Sequence, residues 1–240
     1  MSVWRYAVVG IALAAGAQQR LGINFYSVDQ EIAMGAAQAR ETAAKTIPLN
    51  NAAASAYVDR VTRELAAQIP DSQFQYVATV VKDDLGVEPV ALPGGYIFVS
   101  ASQFTTAQSE SEFVGLLARA VAHVTDRDAT RIATWGELMQ IATEPLRQGG
   151  GLASTIALSP FWRALDRQAD WLAVKIMAAA GYDPVALVRD VEKAPTDGFP
   201  GWQDFRKNRL AELRKEAAAA TVVPGGDGAE FARVRETIGK

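Results

Sequence analysis

The sequence predicts an α+β domain that is predominantly helical, and three observations predict it. Apolar residues recur at helical spacing through most of the chain from residue 28 to residue 238. The period changes once, between residues 73 and 100, where strand formers and turn signals cluster. The length, 240 residues, fits one domain with a full hydrophobic core of its own. The expected sheet is small, three to four strands, packed against a central helix and the helices around it.

Composition excludes several chemistries. There is no Cys, which removes disulfides, thiolate metal ligands and a cysteine nucleophile. The single His, His123, removes any multi-histidine metal site within one chain. A formal charge of -3 with scattered basic residues gives no sign of a nucleic-acid partner.

In chain order, residues 1–17 read as a secretory signal. Arg5 supplies the charged start, Tyr6 to Ala15 the apolar run, and Ala15-Gly16-Ala17 an A-x-A-like cleavage site. The run is shorter than the roughly 20 residues of a membrane span. An uncleaved anchor and a buried helix are the alternatives, and membrane contact is expected only through this segment if it stays. Residues 18–240 then form a single domain, expected in a bacterial periplasm or secreted.

Residues 28–45 and 50–69 read as helices. The second places Ala54, Tyr57, Val58, Val61 and Leu65 on one face, behind an Asn50-Asn51 cap and before Pro70. Gln73 to Val81 reads as a strand, and Lys82-Asp83-Asp84 as a turn. Val87 to Leu92 carries Pro89, which suits a sheet edge. Pro93-Gly94-Gly95 turns the chain into a third strand over residues 96–99.

A helix over 110–124 follows, with Ser109 and Glu112 spaced as a capping box. Residues 128–146 read as helical. Residues 148–160 carry three glycines and Pro160, and read as a flap or as a linker between packed helices. Residues 161–180 form a helix ended by Gly181, and 184–193, 201–219 and 229–238 add three more, the last after a Pro/Gly loop from Val222 to Gly228.

The chain is organised around Leu117 to His123. On that helix Arg119 and His123 are four residues apart and share a face. This is the spacing of H-E-x-x-H, in which two imidazoles bind zinc and a glutamate serves as general base. Here the pattern reads Arg119-Ala120-x-x-His123.

Several stretches resemble the zinc metalloendopeptidases of peptidase family forty-eight, gluzincins that include HtpX-like and periplasmic proteases policing outer-membrane assembly. They are Gln30-Glu31-Ile32-x-Met34-Gly35, Ala91 to Val99, Glu110 to Ala118, Gln168-Ala169-Asp170, Met177 to Pro184, and Arg209-Leu210. The resemblance implies a gluzincin-like zincin fold, zinc as cofactor, and a groove for polypeptide along an edge strand. By position, the first ligand falls at Arg119, the general base at Ala120, the second ligand at His123 and the third at Gln168. Asp170 falls at an acid behind the ligands, and Asp128 where the family has a further histidine. Glu88, Pro89, Val90 and Ala91 fall on the substrate-aligning strand, with Tyr96 nearby as a groove candidate.

The substitutions fall on the chemistry. Arginine is donor-only and stays protonated, so it offers a metal no lone pair. A glutamine amide is a poor zinc ligand, and Ala120 accepts no proton. The expected site therefore holds no metal and no catalytic residue. In its place, Arg119 is expected to pair with Asp170, with Gln168 bonding alongside; the alternative is an arginine pointing to solvent. His123 reads as a hydrogen-bonded packing residue, and Trp135, Trp162, Trp171 and Trp202 as core and groove residues.

Three functions compete. The leading one is an exported, non-catalytic relative that binds unfolded or envelope polypeptides or a protein partner. The second is an active metalloendopeptidase of periplasmic quality control using other ligands, such as His123 with Asp128 or Asp166. The third, a Ser or Thr hydrolase, lacks a G-x-S-x-G elbow.

Overall fold

A computed structural model describes residues 23–143, 150–193, 202–223 and 228–238, with backbone alone at 139–143, 150–160 and 202. The elements are α1 (Val28–Lys45), α2 (Ala52–Ala66), β1 (Val77–Val81), β2 (Val90–Ala91), β3 (Tyr96–Ser100), α3 (Ala101–Thr106), α4 (Glu110–Thr125), α5 (Asp128–Thr143), α6 (Gly150–Ala180), α7 (Val185–Lys193), α8 (Trp202–Ala219) and α9 (Ala229–Ile238). The proposed signal and the loop at 224–227 lie outside the described residues.

The sheet has three strands in the order β1-β3-β2. β3 runs parallel to β1 and antiparallel to β2. The first strand starts at Val77, four residues later than expected, and the second shrinks to Val90–Ala91. Pro89, with no N–H to give, stands at the start of that edge. Side chains alternate along β3: Ile97 and Val99 enter the main core, while Tyr96 and Phe98 join a small cluster with Ala39 of α1.

Two glycines explain the tight seat of α1 on the β2–β3 turn. A Cβ on Gly35 would come within 1.8 Å of the Pro93 carbonyl oxygen. Gly94, at φ +73, approaches the Ile32 backbone so closely that its own Cβ would lie 2.8 Å from Ile32 Cα. Only the absence of side chains lets these backbones meet.

α4 is the centre of the domain. Twelve of its 16 residues are buried, among them Phe113, Leu117 and Val121. It packs most extensively on α6, then α7 and α2. Each such apolar side chain contributes about 1.5–3 kcal/mol when fully buried. Tyr57, Phe104, Phe113 and Phe231 close one end of the core, with Phe104 and Phe113 centroids 3.9 Å apart.

Two sequence expectations fail here. The flap is not a loop from residue 150 onward: α6 runs from Gly150 to Ala180 as one helix. Residues 148 and 149 lie outside the described set. Gly150 and Gly151 occupy its first two positions, where the N–H groups lack intrahelical partners anyway. At the other end Gly181, at φ +92, closes α6 as expected, with Tyr182 N donating to Met177 O at 2.9 Å. The second is α3, six residues capped by Ser100 and Gln103, a helix that no apolar period in the sequence signals. No described helix is long and apolar enough to cross a membrane.

Candidate functional site

The site begins with the start of α4. Ser109 accepts from the Glu112 backbone N–H at 3.2 Å. Glu112 does not complete the expected box; its carboxylate accepts from Gln108 N at 3.0 Å and from Lys193 of α7. This fixes the helix so that its third turn delivers Arg119 to the interior, 3% exposed.

A buried guanidinium needs compensating charge, and Arg119 has three carboxylates around it. Nη1 donates to Glu88, just before β2. Nη2 donates to Asp166 of α6 at 3.3 Å. Nε lies 2.9 Å from Asp170 Oδ1, an ion-pair distance, although its N–H is not aimed at that oxygen. Arg119 therefore meets Asp170 and does not face solvent. Asp170 is itself held by Arg209 of α8, which donates from Nε at 2.6 Å and from Nη2 at 2.9 Å. Arg209 also lies 3.5 Å from Asp166.

Burial alone would raise the Asp170 and Glu88 carboxyls, but Arg119, the largest opposing influence, acts with the other cations of the centre to hold both below the usual range. Arg209 and His123 add to that effect on both groups. Burial likewise works against the Arg119 charge, and Asp170, Glu88 and Asp166 overcome it, raising its pKa.

One turn on, His123 Nδ1 lies 2.7 Å from Asp128 Oδ2, the first residue of α5. Asp126 caps α4 beside it and is 4% exposed. Burial, with Asp128 adding, pushes its carboxyl up to about 7. Gln168 does not bond alongside Arg119 as expected. Its side chain is turned to Asp126, and its Oε1 has no partner among the described residues. Ala120, 2% exposed, offers no polar atom.

The edge-strand candidates divide. Glu88 reaches the Arg119 guanidinium, and Ala91 packs on the main core beside α4. Val90 and Tyr96 instead pack in the small cluster with Ala39, Val81 and Phe98. A cavity of about 360 Å³ has Val87, Glu88, Leu116, Asp190 and Lys193 in its wall. A second, of about 370 Å³, lies at Gln168, Asp170, Trp171 and Arg209. Of the tryptophans, Trp171 lines this second cavity, Trp135 packs on Phe161, and Trp162 is 39% exposed. The Trp202 side chain lies outside the described residues.

The sequence profile of Peptidase family M48 matches residues 52–217, which include the sheet, α4, α6 and the Arg119 centre. The chain belongs to peptidase family M48. It is similar to a putative beta-barrel assembly-enhancing protease of Vibrio cholerae, 26% identical over 67% of this chain and 37% of that protein. It is similar also to the beta-barrel assembly-enhancing proteases of Yersinia pestis and Escherichia coli K12, 24% and 20% identical over 70% of this chain and 38% of each. The chain thus spans less than two fifths of the length of these curated relatives.

The residues present do not fit the family's zinc. A catalytic zinc site takes three protein lone-pair donors and an open position. With one His in the whole chain, H-E-x-x-H cannot occur. The side chain four residues before His123 is a donor-only cation already enclosed by carboxylates. Among the described residues, no three His, Asp or Glu side chains are placed to hold a metal ion.

The sequence predicts Arg119 against Asp170 but marks no role for Arg209 in the site and Glu88 only as a strand residue. The available signal was charge parity, since one guanidinium could not balance the acids brought to that face.

Proposed function

We propose that this chain is a non-catalytic member of peptidase family M48, exported to the cell envelope, where it binds polypeptides or a protein partner. The observation that carries the reading is the Arg119 guanidinium, enclosed by Glu88, Asp166 and Asp170 at the position where the family's first ligand is expected. A fixed cation there repels a metal ion. Without metal, an attacking water keeps a pKa far above the roughly 7 it reaches on zinc. Ala120 supplies no base, a loss worth about 10²- to 10⁴-fold by itself.

The polypeptide-binding part draws on the groove beside β2 and on the relatives, which are named as proteases of β-barrel assembly. In this reading residues 1–17 are removed on export, and residues 18–240 form a single domain in the periplasm or outside the cell. The competing reading, a working metalloendopeptidase with other ligands, draws on the family match and the relatives' names.

Elemental analysis of the purified protein, with a casein assay with and without chelator, separates the two. The proposal expects no bound zinc and no chelator-sensitive cleavage. Stoichiometric zinc with chelator-sensitive proteolysis overturns it.

A further inference from the structure

Resting on the polypeptide-binding reading above, we propose that Arg119 is a receptor for a carboxylate carried by the bound polypeptide, and that Glu88 is its resident stand-in. The centre has two guanidinium groups and three carboxylates. Asp166 and Asp170 are each contacted by both Arg119 and Arg209. Glu88 is ion-paired to Arg119 alone among the described residues. Its side chain is 40% exposed, against 27% for Asp166 and 5% for Asp170. Glu88 is therefore the carboxylate with the fewest cationic partners and the most open side chain. When it swings out, two arginines remain against two aspartates, and no buried charge is uncompensated. An incoming carboxylate restores the present balance.

The surroundings suit such an exchange. Glu88 lies in the wall of the 360 Å³ cavity, so its departure joins that space to the guanidinium. Leu116 and Val87 line the cavity beside it, giving room for a side chain next to the incoming carboxylate. The edge that follows is poorly equipped to hold a chain by backbone pairing alone: β2 has two residues, and Pro89 before it gives no N–H. A charge-assisted bond to a buried arginine supplies an anchor that this short edge lacks. The carboxylate is a C-terminus or an acidic side chain, and the two are separated by experiment.

The test measures anisotropy of labelled pools of unstructured peptides against the full chain and its Glu88→Gln variant. One pool has free C-termini and no acidic side chains. A second has the same sequences amidated. A third is amidated with internal glutamates. The free-acid or the glutamate pool is expected to bind the wild type about tenfold or more tighter than the neutral amidated pool. Glu88→Gln is expected to widen that gap by removing the competitor, with near-ultraviolet circular dichroism unchanged. Equal binding of all three pools to both proteins overturns the carboxylate receptor and leaves polypeptide binding standing. No binding of any pool to either protein overturns both.

Discussion

Arg209 donates two hydrogen bonds to Asp170, at 2.6 and 2.9 Å, and so grips from α8 the carboxylate that Arg119 meets from α4. The pair ties the C-terminal helix layer to the central helix through a buried charge. Removing either arginine leaves one cation against the acids of the centre, a loss of compensation on the scale of about 3–5 kcal/mol for a broken buried pair. Arg209→Ala and Arg119→Ala are each expected to lose stability on that scale in urea unfolding. Because each single variant leaves Asp170 one arginine and only the double variant removes both, the double variant is expected to lose more than the sum of the two. Additive losses would mean that the two arginines do not share that carboxylate.

A second prediction concerns pH. Burial raises the Asp126 carboxyl to about 7, and burial with the neighbouring Glu112 raises Asp190 to about 8. Both bind a proton more tightly in the folded state than the roughly 3.9 of an unfolded aspartate. From about pH 4 to pH 8 the native state therefore holds more protons, and stability falls as pH rises. Asp170 and Glu88 act oppositely: their contribution is present above about pH 4 and is lost as acid protonates them. Stability measured by denaturant at stepped pH is expected to peak on the acid side of neutrality. Asp126→Asn and Asp190→Asn are expected to flatten the alkaline slope. A steady rise from pH 5 to pH 8 would contradict the burial of these groups.

The helical scaffold was legible because its signals are local. The spacing of Tyr57, Val58, Val61 and Leu65 sets α2, and Gly181 sets the end of α6. α3 escaped because six residues are too few to show a period. The flap was misread because glycines and Pro160 signal a break, while Leu152 to Leu158 is a run of helix-compatible residues. In the site, the i, i+4 relation of Arg119 and His123 was legible for the same local reason. Glu88, 31 residues before Arg119, and Arg209, 39 residues after Asp170, were not legible as partners. Their pairing depends on how whole elements pack, which no local pattern encodes.

A pair of glycine substitutions tests the seat of α1. Gly35→Ala places a Cβ 1.8 Å from the Pro93 carbonyl oxygen, so the helix or the turn must shift. It is expected to cost well over the roughly 1 kcal/mol scale of helix propensity, read as a lowered thermal midpoint. Gly136, in α5, has nothing within 4 Å of its added Cβ. Gly136→Ala is expected to stabilise by about 0.5–1 kcal/mol. A neutral Gly35→Ala would show that α1 does not sit on the β2–β3 turn.

The positional carry-over from the family has its own test, the triple variant Arg119→His, Ala120→Glu and Gln168→Glu. The scaffold is suited to receive it. His123 is already oriented by Asp128 at 2.7 Å, an acceptor of the kind that orients metal-bound histidines. The Gln168 amide oxygen has no described partner, while the amide itself bonds Asp126, so Gln168→Glu exchanges that one bond for a carboxylate able to accept a metal ion. Asp170 keeps Arg209 when Arg119 is gone. What the variant loses is a cation beside Glu88, Asp166 and Asp170, and a divalent ion restores positive charge there. The triple variant is therefore expected to be less stable than the wild type without metal and to regain stability with zinc, read as a concentration-dependent rise in the thermal midpoint. A folded triple variant that ignores zinc would show that these three positions do not converge as the family's ligands and base do.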